Sequence, residues 1–137
     1  MTSGRGSLTV LISCCLAALA QAHHNPAMLY DLSQEITVTG VVTEFNMGNP
    51  HIRIYFEVES NGTTEQWLAE GGSRTVLLRK GWTGSEFKPG DTVTVRGHPT
   101  RDGSNVVHME YALLPDGTEK FAEDIDRSAL ENLPRRR

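Results

Sequence analysis

Residues 71–82, GGSRTVLLRKGW, decide the fold. Two glycines interrupt an extended segment. Ser73 suits an N-cap, because its hydroxyl can accept from a backbone N–H one turn into a helix, and Gly81 suits a helix stop. Val76, Leu77 and the stem of Lys80 can face a core, so residues 74–80 read as one short helix. The segments on either side read as strands, three before the helix and two after it. That is the order of the OB-fold, a five-stranded Greek-key barrel. A small β-sandwich is the alternative, and the helix between strands three and four argues against it.

Upstream, residues 63–70 (TTEQWLAE) form the third strand, with Trp67 and Ala69 inward. Asn61-Gly62 joins it to the second strand as a two-residue hairpin turn, since both residues tolerate positive φ. In that second strand Ile52, Ile54, Phe56 and Val58 alternate with Arg53, Tyr55, Glu57 and Glu59, the period of a half-buried strand. Residues 46–50 (NMGNP) are a loop. Residues 34–45 (QEITVTGVVTEF) carry apolar residues at Ile36, Val38, Val41 and Phe45, and the alternation shifts phase around Gly40. The expectation is a long first strand with a bulge or bend at that glycine, able to serve two sides of a barrel. Residues 23–33 contain Pro26 and no clear period, and read as an extended lead-in.

Downstream, Lys88-Pro89-Gly90-Asp91 closes a loop bracketed by Trp82 and Phe87. Val93 and Val95 mark the fourth strand, residues 106–114 the fifth, and residues 118–121 a short sixth. Residues 123–137 are charged and read as a frayed helix or disordered tail. The chain is thus mainly β: an OB-like barrel of five to six strands over residues 23–122.

The amino terminus reads as an address. Arg5 precedes the apolar run from Leu8 to Ala20, and Ala20-Gln21-Ala22 places small residues where a signal peptidase looks. The run is shorter than the roughly 20 residues of a spanning helix, and a buried N-terminal helix is the plain structural alternative. Leu11-Ile12-Ser13-Cys14 loosely resembles a lipoprotein attachment box, but cleavage there would leave a very short apolar segment and waste the A-Q-A. Residues 1–22 are therefore expected to be a signal peptide, with a periplasmic or secreted product starting at His23. Both cysteines, Cys14 and Cys15, lie inside the signal, so disulfides, thiol nucleophiles and thiolate metal sites are excluded from the product. The formal charge of the whole chain is −4, and an acidic domain is a poor nucleic-acid binder. Arg135-Arg136-Arg137 reads as a solvated terminus rather than a binding patch.

Several motifs form an ordered set along the chain: His23-His24, Thr39-Gly40-x-Val42, Asn49-Pro50-His51, Trp67, Leu78-x-x-Gly81-Trp82, Lys88-Pro89-Gly90-Asp91 and Leu114-Pro115-Asp116-Gly117. Over residues 23–121 this set resembles a bacterial family of small exported proteins, domain-of-unknown-function family 6152. The resemblance implies export and a small barrel, and no activity. One departure is Asn25, where the family pattern suggests a small residue after the paired histidines.

All five histidines lie in the expected product: His23, His24, His51, His98 and His108. Cleavage after Ala22 gives His23 a free amine beside its imidazole. Those two nitrogens can chelate one ion, to which His24 could add a nitrogen. Imidazole and amine nitrogens suit Cu(II), and also Ni(II) or Zn(II). A third nitrogen from His51 would complete a T-shaped copper site, and the lead-in is long enough to fold back to it. The plainer readings are a terminus with adventitious metal affinity, and a His51 that hydrogen-bonds its own Asn-Pro turn. His98 reads as a surface residue and His108 as a satisfied barrel-wall residue.

Other chemistry is thinner. No G-x-S-x-G, H-E-x-x-H or phosphate loop occurs. Glu57, Glu70 and Glu110 read as solvated strand carboxylates. Gly71-Gly72-Ser73 could bind an anion but reads better as a cap, and Asn61-Gly62-Thr63 matches a glycosylation acceptor that the turn already explains. Trp67 and Trp82 could form a stacking platform with Tyr55 and Phe87, or serve the core. The expected function is a non-enzymatic binding or adaptor module whose rim carries Asn49, Pro50, His51, Trp67 and Trp82, for an unknown periplasmic ligand or protein partner. A copper-type protein using His23, His24 and His51 is the alternative, and a catalytic metalloprotein a second one.

Overall fold

A computed structural model describes residues 26–123. The signal segment, His23, His24 and residues 124–137 lie outside the described residues. Six strands, β1 (Ile36–Asn46), β2 (Arg53–Ser60), β3 (Thr63–Glu70), β4 (Thr92–Pro99), β5 (Val106–Leu113) and β6 (Glu119–Phe121), are accompanied by one α-helix among the described residues, α1 (Arg74–Arg79). The sheet order is β3-β2-β1-β4-β5-β6, and a parallel pairing of β3 with β5 closes the first five strands into a barrel. This is the expected OB-like topology, with β6 added along β5.

β1 holds the barrel together by changing partners. Residues Ile36 to Val41 pair with β4, and Val41 to Asn46 with β2. The change falls beside Gly40, where a Cβ would overlap the Glu57 carbonyl oxygen and lie 2.7 Å from Phe56 Cδ2. Only glycine lets the two strands approach this closely. The bulge is not at Gly40, however. The register slips between Val42 and Glu44, so alternation continues through Gly40 and buries Val42, while Val41 faces solvent. Two adjacent valines supply no contrast by which a sequence pattern could choose between them.

The core is the alternating inward set of the strands: Val42, Ile54, Phe56, Ala69, Val93, Val95, Val107 and Met109 are all essentially inaccessible to solvent. α1 plugs one end. Ser73 caps it by accepting from Val76 N at 3.4 Å, and Leu77 is its buried residue. Trp82 comes next, 2% exposed, its ring 6.1 Å from that of Phe45.

Two boundaries differ from the sequence reading. The lead-in is not extended at Pro26: a 3-10 turn spans Pro26–Met28, with Leu29 N and Tyr30 N both bonded to Pro26 O. Proline's fixed φ and missing N–H suit the first position of such a turn. Glu123, assigned by sequence to the tail, is 7% exposed and belongs to the barrel. Its carbonyl accepts from Lys80 Nζ at 2.7 Å, and its carboxylate meets His108.

Candidate functional site

The β1–β2 loop presents Asn49 and Pro50 to solvent, joined by a cis peptide bond. His51 closes the loop and is half-buried. Its Nδ1 lies 3.1 Å from the carbonyl oxygen of Gly71, at the corner between β3 and α1. The bond therefore reaches across the barrel end rather than back into the Asn-Pro turn. A carbonyl can only accept, so Nδ1 carries the proton, and in the neutral ring Nε2 keeps its lone pair. Nε2 has no hydrogen-bond partner among the described residues. Backbone bonds from Ile52 N to Gly72 O and from Gly71 N to Ile52 O hold the same corner.

The tryptophans separate. Trp82 gives its ring to the core and its Nε1–H to Phe121 O at 2.9 Å, so it offers no stacking face. Trp67 is half-buried on β3, tilted against Phe56 with Nε1 3.3 Å from Glu65 Oε2. The sequence-predicted set thus resolves into one loop, Asn49 to His51, with the tryptophans elsewhere. Among the described residues no three His, Asp or Glu side chains converge on a metal-sized site.

A second polar group spreads over the outside of the barrel. Strand pairing lines up Arg53, Glu70, His108 and His98 across β2, β3, β5 and β4. Arg53 and Glu70 form an ion pair at 2.8 Å. Tyr30 from the lead-in lies across the row: its hydroxyl donates to Glu70 at 2.9 Å, and its ring stacks on His108 with centroids 4.9 Å apart. Burial, and then the adjoining Glu70 carboxylate, push the Tyr30 phenol far above its ordinary range, so it stays a donor. The bond to Glu70 likewise raises the Arg53 guanidinium. His108 Nε2 meets Glu123 at 2.9 Å and His98 Nε2 meets Glu110 at 3.2 Å. Glu70 and Glu110, expected to be solvated, are thus paired, and His98 is not a free surface residue. Glu57 is bonded to Gln66 instead. The β3–β5 pairing joins the Arg53–Glu70 pair to the two histidines, and local periodicity carries no trace of it.

A shallow cleft of about 400 Å³ opens elsewhere, between the loop after α1 and the β5–β6 turn. Its charged groups have partners: Lys88 pairs with Asp91, Lys120 with the buried Glu86, and Asp116 accepts from Thr118 N at 2.8 Å.

The sequence profile of a family of unknown function, DUF6152, matches residues 10–108. The chain belongs to the DUF6152 family. The match takes in His51, His98 and His108, and stops before β6 and Glu123 of this DUF6152 barrel. No curated protein matches the chain. Among the described residues no helix is long and apolar enough to cross a membrane.

Proposed function

We propose that this DUF6152 protein is exported, with residues 1–22 removed, and works as a non-enzymatic binding module whose contact surface is the β1–β2 loop. One observation carries this reading. Asn49 and Pro50 are exposed, yet their loop is held at its exit by His51 on Gly71 O. A loop both exposed and fixed loses little freedom on binding. The rim loops are also where OB barrels take ligands. A photo-crosslinking residue at Asn49, in protein expressed in its native envelope, should give discrete adducts. The same probe at Thr37, exposed near the other end of β1, should give none. Equal labelling at the two positions refutes the reading.

A copper-type site is the second reading, favoured by the tautomer of His51. Ligand histidines commonly donate their second ring nitrogen to a backbone carbonyl, which aims the other at the metal. His51 has this arrangement, with Nε2 free of partners among the described residues. His23, with its amine and ring, and His24 would supply the remaining nitrogens. Cu(II) titration of protein starting at His23 should give stoichiometric binding that is lost on adding one residue before His23. Unchanged affinity in that variant, or in His51→Ala, defeats this second reading and leaves the first standing.

A further inference from the structure

The cleft of about 400 Å³ between the loop after α1 and the β5–β6 turn lies within the size range of small-ligand sites. Its walls are pinned in advance. Glu86 fixes the loop wall by accepting from Thr83 N at 2.6 Å and Gly84 N at 2.9 Å. Asp91 fixes the next turn by accepting from Lys88 N at 2.9 Å. The opposite wall is the β5–β6 turn, closed by Leu114 N on Thr118 O at 2.8 Å and Gly117 N on Leu114 O at 2.9 Å. A site formed in advance loses little freedom when it is filled.

These walls hold hydrogen-bonding capacity that the protein itself leaves unused. The Lys120 ammonium, which lines the cleft, has three hydrogens to donate. Two go to Gly81 O and Glu86 Oε1, each at 2.8 Å. The Trp82 ring, its centroid 5.6 Å from Nζ, attracts the charge but is too far to accept a hydrogen. The third hydrogen therefore has no acceptor among the described residues. Ser85 offers the complement. The hydroxyl hydrogen of Thr83 goes to Glu86 Oε1, so in the 2.9 Å contact between the two hydroxyls Ser85 Oγ is the donor. A hydroxyl that donates once keeps both acceptor lone pairs. Asp116 has capacity too: Thr118, through its N–H and its side chain, takes two of the roughly four acceptor positions of that carboxylate. Leu114 and Pro115 add apolar surface.

The charges decide what fits. Lys88 is already paired with Asp91, and Lys120 with Glu86. An anion would enter against three carboxylates, those of Glu86, Asp91 and Asp116, and a cation against two ammonium groups. Asp116 stands on an exposed turn, where water screens its charge. Hydroxyl groups disturb neither pair, since each can accept from Lys120 and donate to Ser85 or Asp116. We propose that this cleft binds a neutral polyhydroxylated ligand, a short saccharide. Lys120 donates to one of its hydroxyl oxygens, while Ser85 and Asp116 accept from others. The cleft is independent of what the β1–β2 loop binds, so its failure would leave that reading standing.

Amide spectra of ¹⁵N-labelled protein, titrated separately with cellobiose, maltotriose, chitobiose, acetate and methylammonium, test this. At least one of the three saccharides should shift the amides of residues 83–88 and 114–120 saturably, and the two ions should not. Ser85→Ala removes an acceptor on an exposed side chain and should weaken binding about fivefold, the weight of one neutral hydrogen bond. Replacing the pair together, Glu86→Gln with Lys120→Met, removes the ammonium without stranding a buried charge, and the thermal midpoint checks that this variant folds. Its binding should fall about tenfold or more, as for a hydrogen bond to a charged group. Three results each overturn the proposal: no saturable shift with any of the three saccharides, acetate or methylammonium shifting the same amides at lower concentration, or undiminished saccharide binding in the folded variants.

Discussion

Replacing Glu86 tests the structure at a buried charge. The Glu86 side chain is 2% exposed. It accepts from Thr83 N at 2.6 Å, Thr83 Oγ1 at 3.1 Å, Gly84 N at 2.9 Å and Lys120 Nζ at 2.8 Å. Glu86→Ala leaves two backbone donors without an acceptor, each costing about 1–3 kcal/mol. Lys120 suffers less, because Gly81 O still accepts from it at 2.8 Å. The expected loss is about 3–4 kcal/mol, in line with the roughly 3–5 kcal/mol for removing one partner of a buried pair. Glu86→Gln keeps the shape and one acceptor oxygen and should lose about 1–2 kcal/mol. The pH dependence has a definite sign. Burial alone would raise this carboxyl, but Lys120 and the N–H groups of Thr83 and Gly84 outweigh it and hold it below the ordinary range. A group depressed in the folded state contributes stability that is fully present above its unfolded value, about 4.3. That contribution fades as pH falls through the lower folded value. Urea unfolding followed by tryptophan fluorescence should therefore show the gap between wild type and Glu86→Gln shrinking below about pH 4. A gap that is constant down to about pH 3, or an alanine variant within about 1 kcal/mol of wild type, refutes the reasoning.

Gly97→Ala should abolish folding or cost more than about 3 kcal/mol, read as soluble yield and thermal midpoint, because the new methyl would strike the His108 carbonyl and sit 2.9 Å from its carbon, both rigid backbone. Tyr30→Phe keeps the stack on His108 but removes the donor to Glu70. It should cost about 1–2 kcal/mol and speed proteolytic nicking near residue 30, while nicking at the β2–β3 turn stays unchanged.

The elements legible in the sequence were those whose signals are local. Ile52, Ile54 and Phe56 alternate cleanly because one face of β2 is sealed, and Asn61-Gly62 can hardly be anything but a tight turn: both residues have positive φ, 51° and 78°. Ser73 caps α1 as its hydroxyl and position suggest. The strand order came from these signals, and with it the barrel. What stayed hidden depends on distant pairing. The bulge beyond Val42 is set by Phe56 and Tyr55 on another strand. The row from Arg53 to His98 exists only because β3 and β5 run parallel for three residue pairs. His51 was legible as a rim residue, but its partner Gly71 lies 20 positions away. Glu123 looked like tail because it is charged, and it is buried because His108 and Lys80 await it.

The imidazole of His108 touches both ends of the described chain: Tyr30 stacks on it, and Glu123 bonds it from the other terminus. A chain emerging in order from amino to carboxyl end therefore holds Tyr30 ready long before its platform exists. The β3–β5 closure imposes the same delay, since contacts of large sequence separation form late. A chain stalled before residue 106 keeps an open seam along β3 and an undocked Tyr30. One stalled between residues 114 and 123 can close the seam, yet its His108 still waits for a carboxylate. The ring is thus fully dressed only once the chain has emerged as far as Glu123.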